Sequence, residues 1–318
     1  MMRIDLTGKN ALVTGSTRGI GRAIAQTLAD AGARVGIVGR DLGRATAVAA
    51  EVGGGAQGFA CDVGDLAQVA ALIVSDVVGS PLDVIASGPT APDLTTFADA
   101  WAIVERYDLA RALPAALLDH LRRGVAGEVA ETPKPGEPLW SRVHSAVIAS
   151  NAAAAEAALA AARARGFNAL LLTTFLEGEA REVGRVAAAL ARELALRGAP
   201  LDRPALLICG GETTVTLRGD GLGGRNQELA LGAAAGMAGL PGALLVALAT
   251  DGGDGPTDAA GAVVTGETLA RARALGLDAD DFLRRNDAYR FFAALDDLLR
   301  PGPTLTNVND LLFIAVAE

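Results

Sequence analysis

The chain has 318 residues, of which 51% are apolar and only 4% aromatic, and its formal net charge is −9. That length suggests roughly two domains with ample material for packed cores. The acidic balance argues against a nucleic-acid or anionic-membrane partner, because phosphate surfaces need clustered cations; a small anionic substrate would have to be held by a few local donors.

In chain order, the opening Met1-Met2-Arg3-Ile4-Asp5 lacks the apolar core of a signal peptide. Asn10 to Thr14 is a short apolar strand, followed at once by Gly15-Ser16-Thr17-Arg18-Gly19-Ile20-Gly21 and a helical pattern that Gly32 closes. Residues 34–40 form a second strand, 42–52 a second helix and 56–61 a third strand ending at Asp62, which is βαβαβ, half of a doubly wound sheet. The glycines let the backbone turn tightly and approach a pyrophosphate, whose charge the free N–H groups of the next helix stabilise.

Thr14 to Gly21 resembles the Thr-Gly-x-x-x-Gly-Ile-Gly fingerprint of the short-chain dehydrogenase/reductase family. The resemblance implies a cofactor cradle made by Gly15, Arg18, Gly19, Ile20 and Gly21, with Asp62 at the adenine ring and Arg18 and Arg40 favouring the extra phosphate of NADP(H). The family's Tyr and Lys pair, four residues apart, is missing, since Arg111 follows Tyr107 and Ala293 follows Tyr289 at that spacing. This segment is expected to bind NADPH more readily than it turns it over.

A helix at 64–69 and a strand at 71–77 keep βαβ spacing, so a continuous sheet is expected across 66–73. Ser87 and Gly88 follow in a Ser-, Gly- and Pro-rich stretch, where open α/β sheets place ligands. Helices are expected at 95–107 and 110–123, an exposed loop with Lys134 at 131–138, and a strand at 143–149. An alanine-rich helix from Asn151 to Arg165, a strand at 168–173 and a helix at 177–197 complete this part, and 198–204 is the candidate linker. No apolar run reaches the ~18–20 residues of a membrane span. Cys61 and Cys209, the only cysteines, suggest neither a disulfide framework nor a zinc site, and His120 and His144 are isolated.

Beyond residue 204 the chain becomes glycine-rich and motif-like. Asp251, Asp254 and Asp258 on one turn suit an oxygen-ligated Mg²⁺, although aspartates also serve turns through Asx hydrogen bonds and capping. Arg225, after a glycine pair and before a helical run starting near Asn226, can fork onto a carboxylate or phosphate. Glu212 with Thr213 and Thr214 sits just after a strand at 205–209, where it can fix a hydroxyl or a metal-bound water, with a polar strand edge as the plainer role, and Gly211, Thr213 and Asn226 are candidate substrate or phosphate contacts. Asn307 and Asn309 are candidate phosphate or substrate contacts, with loop capping beside Thr306 and Asp310 as the plainer role.

From about Leu72 onward these blocks, with Ser75-Asp76-Val77-Val78-Gly79, Ile85 to Thr90 and Thr132 to Gly136, resemble class II glycerate kinases, whose C-terminal part is named MOFRL. The resemblance implies ATP-dependent phosphoryl transfer to glycerate with Mg²⁺, and makes Arg225 a matched catalytic position beside Asp251 and Glu212. The family's Gly-Lys-Ala motif and Gly-Gly-Gly-Ser phosphate loop have no counterpart here, so impaired turnover is expected. An NADP-dependent reductase and a catalytically silent nucleotide-binding protein stand as alternatives. The expected architecture is α/β: a composite Rossmann-like, doubly wound parallel domain over 1–203 and a second α/β domain over 204–318, in a cytoplasmic enzyme acting on a small molecule.

Overall fold

A computed structural model describes residues 6–61 and 69–317. In chain order its elements are β1 (Asn10–Val13), α1 (Gly19–Asp30), β2 (Arg34–Gly39), α2 (Leu42–Val52), β3 (Gln57–Ala60), β4 (Val69–Val74), α3 (Phe97–Arg106) and α4 (Ala115–Val125). They continue with β5 (Val143–Ala149), α5 (Asn151–Ala164), β6 (Asn168–Leu176), α6 (Ala180–Arg197), β7 (Ala205–Gly211), α7 (Arg225–Met237), β8 (Ala243–Ala249) and β9 (Gly261–Thr265). The last are α8 (Thr268–Ala274), α9 (Ala279–Arg284), α10 (Ala288–Leu295), β10 (Leu298–Leu299) and β11 (Asp310–Val316). The fold is α/β, and no described helix is long and apolar enough to cross a membrane.

The chain divides into two compact units, Met1–Ala71 with Thr90–Ala146 and Leu72–Pro89 with Val147–Glu318. In the first unit, β1, β2 and β3 form a parallel sheet in that order. Val35 and Ile37 of β2 alternate onto the face covered by Ala25 of α1 and by Ala45, Val48, Ala49 and Val52 of α2. Further along, Thr96 and Asp99 make a reciprocal capping box at the start of α3. Phe97 of α3 meets His120 of α4 edge to face. Lys134 ties its loop to this region by donating to the Thr95 carbonyl and to Thr132.

The second unit is built on a six-stranded mixed sheet of order β10-β9-β8-β11-β7-β6. Only β6 and β7 are parallel; β11 runs antiparallel between β7 and β8. Alternate residues feed opposite faces. Leu207 and Cys209 of β7, with Leu312, Ile314 and Val316 of β11, pack under α6, α7 and α10, where Phe291 and Phe292 are fully buried. Ile208 and Leu311 pack on the other side against Ala155 of α5. The alanine-rich α5 is capped by Ser150, which accepts from the Ala153 N–H at 3.3 Å.

Two expectations change. The sheet does not continue from β3 to β4 among the described residues: β3 pairs with β2, whereas β4 pairs with β5 in a separate two-stranded sheet. The helix expected at 64–69 falls largely on residues 62–68, outside the described residues. Position 203/204 is not a break in the sheet either, because β6 and β7 on its two sides are hydrogen bonded from Asn168/Ala205 to Leu176/Gly211.

Candidate active site

The sheet of the second unit brings the functional residues together through its register. The C-terminal end of β6 lies beside that of β7, with Leu176 opposite Gly211. Because β11 is antiparallel to β7 and β8, its first residue, Asp310, lies opposite both Gly211 and Ala249. Glu177, Glu212, Asp310 and Asp251 are therefore neighbours at one end of the sheet, where α/β proteins place ligands beyond the strands' carboxyl ends. A cleft of about 1060 Å³ opens there, lined by Glu212, Thr213, Arg225, Asp251, Asp254 and Asn307, together with Asp76, Glu177 and Glu228.

Arg225 is the first residue of α7. Its Nε and Nη2 donate to the two carboxylate oxygens of Asp310 at 2.6 and 3.0 Å, and its Nη1 donates to Glu212 Oε1 at 2.7 Å. This is a bidentate fork with one further charge-assisted bond. Partial burial opposes the guanidinium charge, but the hydrogen bonds and charge of Asp310, with Glu212 and Asp254, outweigh it and raise the pKa. The loop before Arg225 is pinned by Leu222 N–H donating to Asp287 at 2.9 Å and Arg218 N–H to Asn286 at 2.7 Å.

Asp254 is only 2% exposed and caps α7 from a distant turn. Its Oδ1 accepts from the Asn226 N–H and side-chain amide at 3.1 and 3.3 Å, and its Oδ2 from the Gln227 N–H at 2.9 Å. A Cβ on Gly224 would collide with this carboxylate, so the close approach requires glycine. Burial pushes the Asp254 carboxyl up to about 6, although the two backbone N–H groups and the Asn226 amide pull it the other way.

The three aspartates expected to share a metal are thus separated. Asp254 faces the helix end. Exposed Asp258 accepts from Tyr289 Oη at 2.7 Å and pairs with Arg300 at 3.3 Å, which holds its carboxyl below the usual range. No three His, Cys, Asp or Glu side chains among the described residues converge as a metal-ligand set. Asp251 fits a narrower role: it lines the cleft, is exposed, and one of its carboxylate oxygens accepts from the Gly253 N–H at 2.9 Å. Mg²⁺ bound with phosphates needs only one or two carboxylates.

The remaining candidates take varied places. Thr213 is buried, and its Oγ1 has no partner among the described residues. Gly211, Asn226 and Asp310 line a cavity of about 10 Å³ beside it. Asn309 is buried in the left-handed region, with its carbonyl accepting from the Thr250 N–H and hydroxyl at 3.0 and 2.7 Å. The side chain of Asn307 accepts from the Asn309 N–H at 3.0 Å. Ser87 and Gly88 adopt left-handed backbone around a short 3-10 turn and are not among the residues lining the cleft.

Sequence reasoning gave Asp310 only a loop-capping role and missed Asp76, Glu177 and Glu228. The available signal for Asp310 was the apolar run after it, which marks the residue as the start of a strand.

In the first unit, Gly15 and Gly19 have φ near +60°, and Arg18 at the N-cap of α1 makes no side-chain cap, so the helix's first N–H groups are not capped by that side chain. A Cβ on Gly21 would lie 2.7 Å from the Gly15 carbonyl oxygen, so α1 rests directly on the loop. Ile20 lies in the first turn of α1, Arg40 follows β2 and is exposed, and Asp62 lies outside the described residues. Gly15, Gly19 and Gly21 bring this loop against the N-terminus of α1, where free N–H groups point at an anion in glycine loops generally.

The MOFRL family model matches residues 205–310, and a domain of unknown function, DUF4147, matches 49–122. Over 248 residues, 78% of this chain, the sequence is 46% identical to glycerate 2-kinase of Pyrococcus horikoshii, but the match spans only 56% of that relative. Glycerate kinase of Macaca fascicularis is 36% identical over 293 residues, 78% of this chain and 72% of that one. The crystal structure of glycerate kinase from Thermotoga maritima superposes with a TM-score of 0.71 at 42% identity, over 79% of this chain and 57% of the other. With Arg225 and its carboxylate partners inside the region matched as MOFRL, the chain belongs to the class II glycerate kinase family.

Proposed function

We propose that the cleft of the second unit carries out glycerate kinase-like chemistry, ATP-dependent phosphoryl transfer to glycerate. The carrying observation is one guanidinium, Arg225, held by three hydrogen bonds in the lining of a cleft whose other described charged residues are acidic. Phosphoryl transfer asks a protein mainly for positioning and positive charge. Arg225 supplies a fixed donor for an anionic oxygen, and Asp251 would hold Mg²⁺, which neutralises charge on the phosphates when bound. Glu177, Glu212, Glu228 and Asp76 make the lining hospitable to a cation-bound nucleotide.

The Gly-Lys-Ala lysine and the Gly-Gly-Gly-Ser loop are not in this sequence, so the expected state is binding with slow turnover. Each missing preorganised donor is worth ~10²–10³ in rate. The glycine loop of the first unit supports NADPH as a second ligand, without reduction, because no Tyr–Lys pair is present at the required spacing. One experiment addresses both: a coupled assay with ATP, Mg²⁺ and D-glycerate, run beside calorimetric titrations of D-glycerate, ATP and NADPH. The expected result is Mg²⁺-dependent glycerate or nucleotide binding weakened at least ~10-fold by Arg225→Ala, the loss of a charged hydrogen-bond donor, with little phosphoglycerate formed. Turnover near ~10 s⁻¹, typical of enzymes in general, contradicts the slow-turnover expectation. Equal binding by Arg225→Ala contradicts the site.

A further inference from the structure

The three bonds of Arg225 are unequal. Asp310 takes the whole side-on edge of the guanidinium, Nε and Nη2, and its side chain is only 10% exposed. Its backbone is fixed between β7 and β8, and its carbonyl accepts from the buried Asn151 amide at 2.9 Å. Glu212 makes one contact, through Nη1, just past the end of β7, and its side chain is 38% exposed. Arg225 and Glu212 both line the cleft, while Asp310 lies behind them beside the small internal cavity. The outward edge of the guanidinium, its two terminal nitrogens, is therefore where a cleft ligand meets it, and a glutamate already occupies part of that edge.

We propose that Asp310 is the positioning residue that fixes the plane of Arg225, and that Glu212 is a displaceable internal anion that an incoming carboxylate or phosphate must replace at Nη1. This deepens the reading of the cleft as an anion site and rests on it. A ligand oxyanion and the Glu212 carboxylate are the same kind of acceptor and compete for one donor. The exchange costs less than releasing Asp310, because a single contact to a half-exposed carboxylate is weaker than a bidentate fork to a buried one. Asp310 cannot leave without stranding a partly buried guanidinium. Neutral ligands cannot drive the exchange, so Glu212 screens for anions.

The test uses the full chain with inorganic phosphate as probe, titrated calorimetrically into wild type, Glu212→Gln and Asp310→Asn. The Arg225 Nε–H NMR resonance, assigned by its loss in Arg225→Lys, is followed in parallel without ligand. Glu212→Gln should bind phosphate about two- to fivefold more tightly, the gain from removing a weak competing ion pair, and keep the Nε–H resonance. Asp310→Asn should bind at least ~10-fold more weakly and lose or broaden that resonance. Phosphate binding that is unchanged or weaker in Glu212→Gln, or absent from both it and wild type, overturns the exchange. A resonance lost in Glu212→Gln but kept in Asp310→Asn overturns the role of Asp310. Should Asp310→Asn fail to fold, the Glu212→Gln titration still decides. Phosphate binding in the expected pattern without any Mg²⁺-dependent binding of D-glycerate or ATP sinks the kinase reading alone.

Discussion

Asp254 shows how one carboxylate can look like a metal ligand in sequence and act as a helix cap in the fold. Both of its oxygens accept N–H groups from the start of α7, the helix that presents Arg225. Burial raises its pKa from the ordinary 3.8 to about 6. The folded protein thus holds this proton more tightly than the unfolded chain. Its stabilising contribution is complete below about pH 4, declines as pH rises between 3.8 and about 6, and stays level above. That difference corresponds to roughly 3 kcal/mol. Asparagine at this position cannot ionise, so the stability of wild type relative to Asp254→Asn should fall by up to that amount between pH 4 and pH 7. Urea unfolding of both proteins across that range reads it directly, and a difference independent of pH would remove Asp254 as the titrating group.

At the scale of elements, the site depends on how tightly α6 and α7 approach each other. A Cβ on Gly184 of α6 would collide with the Leu229 carbonyl of α7, and one on Gly232 of α7 would collide with the Arg181 carbonyl of α6. Close by, buried Arg181 pairs with buried Glu228, which also accepts from Asn286 at 3.1 Å. Gly184→Ala would force the helices apart and disturb that network. The expected loss is about 1–3 kcal/mol, typical of overpacking, together with weaker ligand binding because Arg225 heads α7. A urea midpoint equal to that of wild type would show that the helices relax freely.

What the sequence could reveal divides along the same line. The strands at Arg34–Gly39 and Val143–Ala149 and the helix at Asn151–Ala164 were legible because period and caps are local signals. The helix expected from residue 110 starts instead at Ala115, because Pro114 just before its first turn sets the boundary. The partners of Arg225 were harder. Asp310 lies 85 positions away and Asp254 reaches α7 across 28, so only the antiparallel register and the glycine-lined turn bring them in. Spacing along the chain carries neither.

At the scale of the molecule, the two units have unequal cores. The main buried cluster of the first unit is made of alanines, valines and Ile37, whereas that of the second includes Phe291, Phe292, Met237, Leu194 and Leu245. Larger buried apolar side chains give more stabilisation per residue ordered, so the first unit should open at lower denaturant. Both tryptophans, Trp101 and Trp140, belong to the first unit. Trp101 donates to Glu105 at 2.9 Å beneath the Arg122 guanidinium, and Trp140 donates to the Lys134 carbonyl at 2.8 Å. Tryptophan fluorescence therefore reports the first unit, while far-UV circular dichroism also records α5, α6 and α7 of the second. The expected outcome is two urea midpoints, fluorescence first. Phosphate or D-glycerate at 100 times its dissociation constant should move only the later transition, by about 2.7 kcal/mol. Coincident midpoints that shift together with ligand would mean that the chain unfolds as one cooperative body, with the Arg225 cleft coupled to the glycine-loop segment.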